Sequence, residues 1–205
     1  MSLYIITKGY AMLSKLIKYQ DRLQKSHTIK YKRYLYSELD FDNKMIAIFG
    51  ARGVGKTTLL FQYLEELENN DKKSLYISMD YPFLTGADLI EIVEEFVNTG
   101  GEYLLLDEIH RYNDFSAYLK TIYDLYDIHV IFTGSSATSI LNAKSDLSRR
   151  VTLYKLNGFS FREYLELKFS ITLKTMTIEE IIDSHIPISN NLLSIIPGIK
   201  ILEEF

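Results

Sequence analysis

A glycine-rich segment at residues 50–57 carries the clearest chemistry in this sequence of 205 residues. It reads Gly-Ala-Arg-Gly-Val-Gly-Lys-Thr, which is the G-x-x-x-x-G-K-[ST] spacing of a phosphate-binding P-loop. Glycines let successive backbone N–H groups converge on phosphate oxygens, the lysine reaches the β- and γ-phosphates, and the threonine hydroxyl binds Mg²⁺. We therefore predict a nucleotide-binding loop, in which Lys56 is also catalytic and Thr57 binds the metal. Its residues are Gly50, Ala51, Arg52, Gly53, Val54, Gly55, Lys56, Thr57 and Thr58.

The residues around this loop supply the strand and the helix that it requires. Residues 45–49 are a continuous apolar run, which predicts a strand buried on both faces. After the loop, apolar residues recur at helical spacing from Leu59 to Leu67. A strand, a glycine-rich turn and a helix therefore follow in the order that phosphate binding needs. The alternative, a chance glycine-rich turn beside a surface lysine, is disfavoured by this context.

A second apolar run, at residues 103–106, is followed by two acids, Asp107 and Glu108. This is the Walker B pattern, in which the aspartate holds the Mg²⁺ shell and the glutamate polarises the attacking water. The alternative is a strand that ends in a pair of surface carboxylates. The residues Asp107-Glu108-Ile109-His110 also spell a helicase box, but helicases need two tandem P-loop domains and this sequence has one P-loop. We therefore expect His110 to be a loop or packing residue.

Hydroxyl residues follow a further apolar run, where another strand is predicted. Thr133 and Ser135 are candidates for a sensor that hydrogen-bonds the γ-phosphate or positions the attacking water. The alternative is that these hydroxyl groups only cap the next helix.

Two adjacent arginines, Arg149 and Arg150, precede the last predicted strand. They are candidates for arginine fingers, which reach the γ-phosphate bound to a neighbouring subunit. They could equally contact the C-terminal carbonyls of a helix or the side chain of Asp146.

Residues 4–39 are locally basic and rich in tyrosine, although the net charge of the whole chain is −4. One functional interpretation is contact with a nucleotide edge or with nucleic acid through Lys30, Lys32 and Arg33. The alternative, which we favour, is a docked helix with a solvated basic face. The helix should end near Lys25, and its apolar stripe is Met12, Leu13, Leu16, Ile17 and Leu23.

The composition is that of an ordinary globular chain, with 47% hydrophobic and 24% charged residues. There is no cysteine, which excludes disulfide bonds and thiolate metal sites. No apolar run approaches the roughly 18 residues of a membrane span, and no signal peptide pattern opens the chain. We therefore expect a cytoplasmic protein without a membrane partner.

Strand candidates alternate with helices, which predicts a parallel sheet with helices on both faces. Asp80, at the end of one predicted strand, either lies near the ligand or only caps a turn. We expect three parts: a basic helical segment at 1–40, a P-loop ATPase core at 41–157, and the start of a helical lid or linker at 158–205. The last part ends on a pattern that looks truncated.

Taken together, these motifs resemble an AAA+-like P-loop ATPase. More closely, the chain looks like the AAA domain of a bacterial and archaeal ATPase family, in which that domain precedes a domain of unknown function that is sometimes nuclease-like. The residues that carry the resemblance lie between about residues 30 and 168. They are Arg33-Tyr34-Leu35-Tyr36, the P-loop, Leu106-Asp107-Glu108-Ile109-His110, Phe132-Thr133-Gly134-Ser135-Ser136, Asp146-Leu147-Ser148-Arg149-Arg150 and Ser160-Phe161-Arg162-Glu163-Tyr164-Leu165.

The resemblance implies an α/β three-layer sandwich with a five-stranded parallel sheet of order 5-1-4-3-2, an N-terminal helix and a short helical C-terminal segment. It implies ATP or ADP with Mg²⁺ as ligands and Glu108 as the catalytic acid. It places Thr133 or Ser135 in the sensor position, and Arg149 or Arg150 as a finger supplied in trans within a homo-oligomer. Family members continue into a lid and a C-terminal domain, so a protein partner or effector domain is also expected.

The resulting interpretation is an Mg²⁺-dependent ATPase that acts as a nucleotide-driven conformational switch and hydrolyses ATP slowly in isolation. The alternatives are a module that holds nucleotide without useful turnover, a P-loop kinase and a DNA-associated ATPase. A kinase would need an arginine-rich lid, for which the chain offers only Arg149, Arg150 and Arg162. The DNA-associated alternative rests on the basic N-terminal stretch alone.

Overall fold

The computed structural model describes residues 2–27, 31–135, 147 and 149–195, and the chain divides into two compact units, Met1–Gly158 and Phe159–Phe205. The described residues of the first unit form a sheet of five parallel strands. These are β1 (Met45–Phe49), β2 (Ser74–Ser78), β3 (Tyr103–Asp107), β4 (His129–Gly134) and β5 (Thr152–Lys155). β1, β3 and β4 coincide with apolar runs of the sequence, because a strand covered on both faces needs apolar side chains at consecutive positions. β5 lies at the edge of the sheet and is only partly buried.

The strands lie in the order β2-β3-β4-β1-β5, which confirms the sheet order expected from the family resemblance. β1 is internal and pairs with β4 on one side and β5 on the other. All four pairings are parallel, so the carboxyl ends of the strands share one edge of the sheet. The P-loop after β1, the acids at the end of β3 and the hydroxyl residues at the end of β4 therefore meet at that edge.

Helices cover both faces of the sheet, which confirms the predicted three-layer α/β sandwich. Alternate residues of β1 face opposite layers: Met45 and Ala47 belong to one core cluster, and Ile46 and Ile48 to the other. The first cluster includes residues of α1, α4 and α5, and the second includes residues of α2 and α3. The helix bounds are α1 (Ser2–Ser26), α2 (Tyr34–Glu38), α3 (Lys56–Asn69), α4 (Leu89–Asn98) and α5 (Phe115–Leu125).

The N-terminal helix α1 packs on the sheet through a narrow stripe. Leu13 and Leu16 are fully buried in the first core cluster. Ile17 was predicted to lie on the same stripe, but its side chain is 39% exposed, and that part of the prediction is wrong. Gln20 is buried instead, because positions 13, 16 and 20 lie on one helix face while position 17 lies at its margin.

The second unit begins with α6 (Phe161–Phe169). Ser160 and Glu163 form a capping box: the Ser160 hydroxyl accepts a hydrogen bond from the Glu163 N–H, and the Glu163 carboxylate accepts one from the Ser160 N–H. Leu165 is the buried centre of a small apolar cluster in this unit. The local sequence alone therefore fixes where this helix starts.

The second helix of this unit, α7 (Ile178–Ile195), is interrupted at Ser184, whose φ and ψ are −132° and 17°. The interruption lies just before Pro187, as expected when a proline ring crowds the preceding turn. Pro197, the second break expected from the sequence, lies outside the described residues. Within the described part of the chain, no helix combines the length and the apolar character that crossing a lipid bilayer requires. The role of this unit as a lid or linker stays a prediction.

Candidate nucleotide-binding site

The loop between β1 and α3 has a backbone that only glycine can adopt at several positions. A methyl group added to Gly50 would lie well under 3.0 Å from the carbonyl oxygen of Leu156, at the end of β5. Gly53 and Gly55 have φ values of 83° and 100°, in the left-handed region that disfavours other residues. The glycines of the motif are therefore required both by backbone conformation and by close approach of the neighbouring strand.

The loop opens directly into the first turn of α3, for which Gly55 is the N-cap residue. The first N–H groups of a helix have no partner within the helix, so this turn presents donors and a partial positive charge to an anion. Thr57 and Thr58 lie in this turn, and Ala51 and Arg52 are exposed in the loop. The predicted phosphate-binding residues thus form one continuous cradle.

Lys56 is almost fully buried, with 4% of its surface exposed. Its Nζ donates to the carbonyl oxygens of Gly50 and Ala51, at 3.1 and 3.0 Å, and lies 3.9 Å from Oε1 of Glu108. The ammonium group is therefore held inside the loop and next to the predicted catalytic carboxylate. A cation in this position would neutralise the negative charge of phosphate oxygens bound in the loop.

Asp107 ends β3 and is only 3% exposed. The Thr57 hydroxyl donates to Asp107 Oδ2 at 2.7 Å, so the two predicted metal ligands are in direct contact. The Thr133 hydroxyl donates to Oδ1 of the same carboxylate. A hydroxyl and a carboxylate are the hard oxygen donors that Mg²⁺ prefers, and this site fits that ion.

The described residues contain no group of three or more His, Cys, Asp or Glu side chains that could enclose a metal ion. Mg²⁺ in nucleotide sites is commonly held by one or two protein ligands together with water and phosphate oxygens. Thr57 and Asp107 would therefore hold the ion jointly with the nucleotide.

Glu108 follows Asp107 with a φ of 52°, an unusual conformation for a residue with a side chain. Its N–H donates to the Thr133 hydroxyl at 3.1 Å, and its Oε2 accepts from the Ser135 hydroxyl at 3.0 Å. The left-handed turn aims the Glu108 carboxylate at the loop rather than along the strand. Non-glycine residues in such conformations cluster at functional sites.

The two sensor candidates occupy different positions. Thr133 is fully buried, and its hydroxyl is engaged with the Asp107 carboxylate and the backbone of Glu108. Ser135 is partly exposed and contacts the Glu108 carboxylate itself. Thr133 therefore orients the two acids, while Ser135 is the candidate that contacts the predicted catalytic carboxylate. Ser136, the last residue of this motif, lies outside the described residues.

His110 lies beside the same carboxylate, a position that the sequence did not indicate. Its Nδ1 is 3.3 Å from Glu108 Oε2, and its Nε2 is 3.4 Å from the Ser135 hydroxyl oxygen. The short turn Ile109–Arg111 after β3 brings the ring back to Glu108. The acid-x-histidine spacing at 108–110 was the available signal, but one intervening residue does not specify a turn.

Tyr76 is a further residue of the site that the sequence did not single out. It lies on β2, and its hydroxyl donates to Asp107 Oδ2 at 2.9 Å. Burial, and next the charge of Asp107, raise the pKa of Tyr76 well above its usual range, so the phenol stays protonated. No local pattern predicts this contact, because Tyr76 and Asp107 belong to different strands.

Arg33 supports the loop from outside. Although it precedes α2 in a basic stretch, it is only 7% exposed. Its guanidinium donates to the carbonyl oxygens of Val54, Asn157 and Gly158, at 2.6, 2.9 and 3.0 Å. Arg33 thus ties the P-loop to the chain that leaves β5. Its place in the Arg33-Tyr34-Leu35-Tyr36 motif was the only signal in the sequence.

Of the three residues named for nucleic-acid contact, the two that the structure describes have partners within the chain. Lys32 forms an ion pair with Glu66 at 2.8 Å and lies over the ring of Tyr36. Arg33 is buried against the P-loop, as described above, and Lys30 lies outside the described residues. The geometry favours the docked-helix alternative for this stretch.

The two finger candidates also differ. Arg150 forms a two-point ion pair with Asp124, at 2.8 and 3.0 Å, which lowers the pKa of Asp124 and raises the pKa of Arg150. Arg149 is exposed and forms no hydrogen bond or ion pair with any residue that the structure describes. Asp146, which the sequence offered as a partner, lies outside the described residues. Arg149 is therefore the arginine whose charge is available at the surface.

Asp80 does not reach the phosphate-binding loop. It forms an ion pair with Arg111 at 3.1 Å, and both side chains are more than half exposed. A separate cavity of about 500 Å³ lies near this pair, and Tyr81, Asp88 and Arg111 contribute to its wall. No residue of the P-loop is among those that line it.

A family model described as "AAA domain" matches residues 42–165, which include the P-loop, both acids and both finger candidates. An uncharacterized protein of Methanocaldococcus jannaschii is 34% identical over 167 residues, which cover 77% of this chain. The matched region is only 35% of that relative, so this chain spans about a third of its length.

Solved structures with a similar fold are more distant. DnaA from Aquifex aeolicus bound to AMPPCP is 19% identical, with a TM-score of 0.42 over 82% of this chain and 60% of that protein. The Hsp104–ADP complex of S. cerevisiae is 18% identical, with a TM-score of 0.47 over 73% of this chain and 23% of that protein. RIF2 of Saccharomyces cerevisiae is 13% identical, with a TM-score of 0.49 over 91% of this chain and 78% of that protein. At these values the likeness concerns the general fold only.

Proposed function

The chain belongs to the AAA domain family of P-loop ATPases, and on that premise we propose that it binds ATP with Mg²⁺ and hydrolyses it to ADP and phosphate. The observation that carries the proposal is the convergence of four side chains at the carboxyl edge of the sheet. Lys56 and Thr57 come from the P-loop, and Asp107 and Glu108 from the end of β3. A P-loop motif without adjacent acids would indicate only phosphate binding.

Binding depends on the loop and the first turn of α3. The backbone N–H groups of the loop and of Thr57 and Thr58 would donate to the phosphate oxygens, and Lys56 would contact the β- and γ-phosphates. Thr57 and Asp107 would hold Mg²⁺, and the ion would neutralise negative charge on the transferred phosphoryl group.

Hydrolysis depends on Glu108. Its carboxylate would accept a hydrogen bond from the attacking water and take up the proton as the bond from the water oxygen to the γ-phosphorus forms. The bond from that phosphorus to the oxygen that bridges the β- and γ-phosphates breaks in the same reaction, and ADP leaves with the bridging oxygen. The ammonium nitrogen of Lys56 lies 3.9 Å from Oε1 of Glu108, next to this carboxylate. Ser135 donates to the Glu108 carboxylate and would register whether a γ-phosphate is present.

This arrangement supports a nucleotide-driven switch. Contacts of Lys56, Ser135 and Glu108 with the γ-phosphate would exist in the ATP state and be lost in the ADP state, which biases the conformation of the surrounding loops. We assign the finger role to Arg149 rather than Arg150, because Arg150 is paired with Asp124. Arg149 would act on ATP bound to a second copy of the chain, and the switch would act on a partner or a C-terminal effector domain.

The experiment that tests the proposal measures ATP binding and turnover, with Mg²⁺, for the unmodified chain and for Glu108→Gln over a range of protein concentrations. A general base contributes about 10²–10⁴-fold, so Glu108→Gln should bind ATP normally and lose most of its turnover. Glu102→Gln is the matched control, since Glu102 is a partly exposed carboxylate just before β3, at the opposite end of the strand from the P-loop, where it pairs with Lys72.

The outcomes separate the alternatives. A turnover rate per subunit that rises with protein concentration, and that Glu108→Gln abolishes, supports an oligomeric ATPase with a finger in trans. Normal ATP binding without turnover at any concentration would favour a module that only holds nucleotide. Absence of ATP binding would refute the proposal altogether.

A further inference from the structure

Three hydroxyl groups donate to the carboxylate of Asp107. Thr57 and Tyr76 donate to Oδ2 at 2.7 and 2.9 Å, and Thr133 donates to Oδ1. The Thr57 hydroxyl is itself a candidate metal ligand, so it has two possible partners. Among the described residues, Tyr76 forms no hydrogen bond with a residue of the P-loop. The carboxylate to which its hydroxyl donates is that of Asp107.

Tyr76 comes from a different strand than any motif residue. β2 is the edge strand next to β3, and Tyr76 is opposite Leu105, two positions before Asp107. Side chains two residues apart on a strand point to the same face, so the Tyr76 ring runs along the face of the sheet toward the Asp107 carboxylate. The contact therefore follows from the register of β2 against β3.

The Tyr76 ring is held in one place. It is 2% exposed, and its centroid is 4.6 Å from that of Phe61 on α3. Its backbone N–H, on the outer side of the edge strand, donates to the side-chain amide oxygen of Gln20 at 2.7 Å. Gln20 is itself buried on α1, and its amide nitrogen lies 3.5 Å from the carbonyl oxygen of Ser74. The side chain of Gln20 thus takes the place of a neighbouring strand.

A hydroxyl held this firmly limits the rotation of the Asp107 carboxylate. A carboxylate that binds Mg²⁺, directly or through water, must present an oxygen lone pair in a defined direction. Hydrogen bonds to metal-binding carboxylates supply that orientation, and their loss typically reduces metal affinity about 10–100-fold.

We propose that Tyr76 is a positioning residue for Mg²⁺, which sets the orientation of the Asp107 carboxylate through its hydroxyl. This inference rests on the proposed function, since it assumes that Asp107 takes part in binding Mg²⁺ with a nucleotide. Tyr76 would act on the metal through Asp107, to which its hydroxyl donates, and not by direct contact with metal or nucleotide. α1 contributes indirectly, because Gln20 fixes the backbone of Tyr76.

The test replaces Tyr76 by phenylalanine, which removes the hydroxyl and keeps the ring. Binding of a fluorescent N-methylanthraniloyl derivative of ADP is titrated at increasing Mg²⁺ concentrations and, separately, in EDTA. For Tyr76→Phe we expect the Mg²⁺ concentration at half-maximal effect to rise about tenfold or more. Affinity in EDTA should change less than about twofold, because no phosphate contact is lost.

Tyr36→Phe is the matched control. The Tyr36 hydroxyl is also largely buried and also donates to a carboxylate, that of Glu66 at 2.8 Å, which belongs to the surface of α3. Its removal should leave the Mg²⁺ dependence unchanged. Thermal unfolding of both variants in EDTA shows whether each is folded, and the increase in midpoint on adding Mg²⁺ and ADP should shrink only for Tyr76→Phe.

Combining Tyr76→Phe with Asp107→Asn gives a second, independent measurement. If Tyr76 acts only through Asp107, then Tyr76→Phe should have no further effect on Mg²⁺ dependence once Asp107 is changed. An unchanged Mg²⁺ dependence in Tyr76→Phe, or an equal loss of affinity with and without Mg²⁺, would overturn the inference. If ADP binding by the unmodified chain does not depend on Mg²⁺, the metal requirement in the proposed function fails instead.

Discussion

Replacement of Gly50 by alanine tests whether the phosphate-binding loop is fixed by contact with the neighbouring strand. A methyl group on Gly50 would lie well under 3.0 Å from the carbonyl oxygen of Leu156 and 3.2 Å from Cγ2 of Val54. The oxygen belongs to the backbone and cannot turn away as a flexible side chain could. Either β5 or the P-loop must therefore move.

These contacts set the loss in the free energy of unfolding that we expect for Gly50→Ala. Overpacking of this kind costs about 1–3 kcal/mol. A shift of Leu156 also strains the hydrogen bond that its N–H donates to the carbonyl oxygen of Phe49, at an N···O distance of 2.8 Å. Such a hydrogen bond contributes about 1 kcal/mol to stability. Alanine has less conformational entropy than glycine in the unfolded chain, which stabilises the folded state by about 0.4–1 kcal/mol. We expect a net loss of about 1–3 kcal/mol in the free energy of unfolding, and for 2 kcal/mol a fall of about 4–8 °C in Tm.

The assay combines urea unfolding with ATP titration. Because Lys56 donates to the carbonyl oxygen of Gly50, a displaced loop also displaces the ammonium group, and we expect ATP affinity to fall about tenfold or more. Gly158→Ala is the control, since a methyl group there meets no atom within 4 Å and Gly158 does not have a positive φ. It should change the free energy of unfolding by less than about 0.5 kcal/mol.

A Gly50→Ala variant that is as stable as the unmodified chain and binds ATP equally well would show that the close contact with Leu156 does not hold the loop in place. A loss of ATP affinity without a loss of stability would show that the loop moves freely against β5. That result would contradict the close contact on which the magnitude rests.

Three further predictions concern arginines near the site. Arg33→Lys keeps the charge but loses the planar fork that reaches three backbone carbonyls, so we expect the free energy of unfolding to fall by about 1.5–3 kcal/mol in urea titrations; an unchanged value would contradict the bracing role. Arg150→Gln should lower stability at pH 7, and because Arg150 lowers the folded-state pKa of Asp124, this difference should disappear as the pH falls through that lowered pKa. Arg149→Gln should leave the free energy of unfolding unchanged at pH 7 and also below the lowered pKa of Asp124. It should reduce ATP turnover at high protein concentration about 10³-fold or more, and equal turnover would exclude Arg149 as the finger.

Much of the fold and part of the site follow from local sequence. The apolar runs before Gly50 and Asp107 predicted β1 and β3, because strands covered on both faces leave a continuous hydrophobic signature. The P-loop could be located from spacing, since its backbone conformation admits few residue types. The sheet order came from the family resemblance, and the structure confirms it.

The stripe of α1 shows the limit of such patterns. Ile17 satisfied the helical period and is nevertheless exposed, while the polar Gln20 is buried. Hydrophobic periodicity indicates which face of a helix is apolar, but it cannot show that an edge strand offers an unpaired N–H group at Tyr76. A buried amide is stable here because it is hydrogen-bonded.

The strands, the phosphate-binding loop and the two acids could be predicted from the amino-acid sequence, since each depends on residues that are close together in the chain. Only the tertiary structure placed Tyr76 on Asp107, His110 on Glu108 and Arg33 on the loop. Tyr76 and Arg33 act across gaps in the sequence, and His110 depends on a turn with no distinctive signature. A side-chain hydrogen bond needs a donor and an acceptor within about 3 Å in a suitable direction, and strand register and turn geometry set that distance.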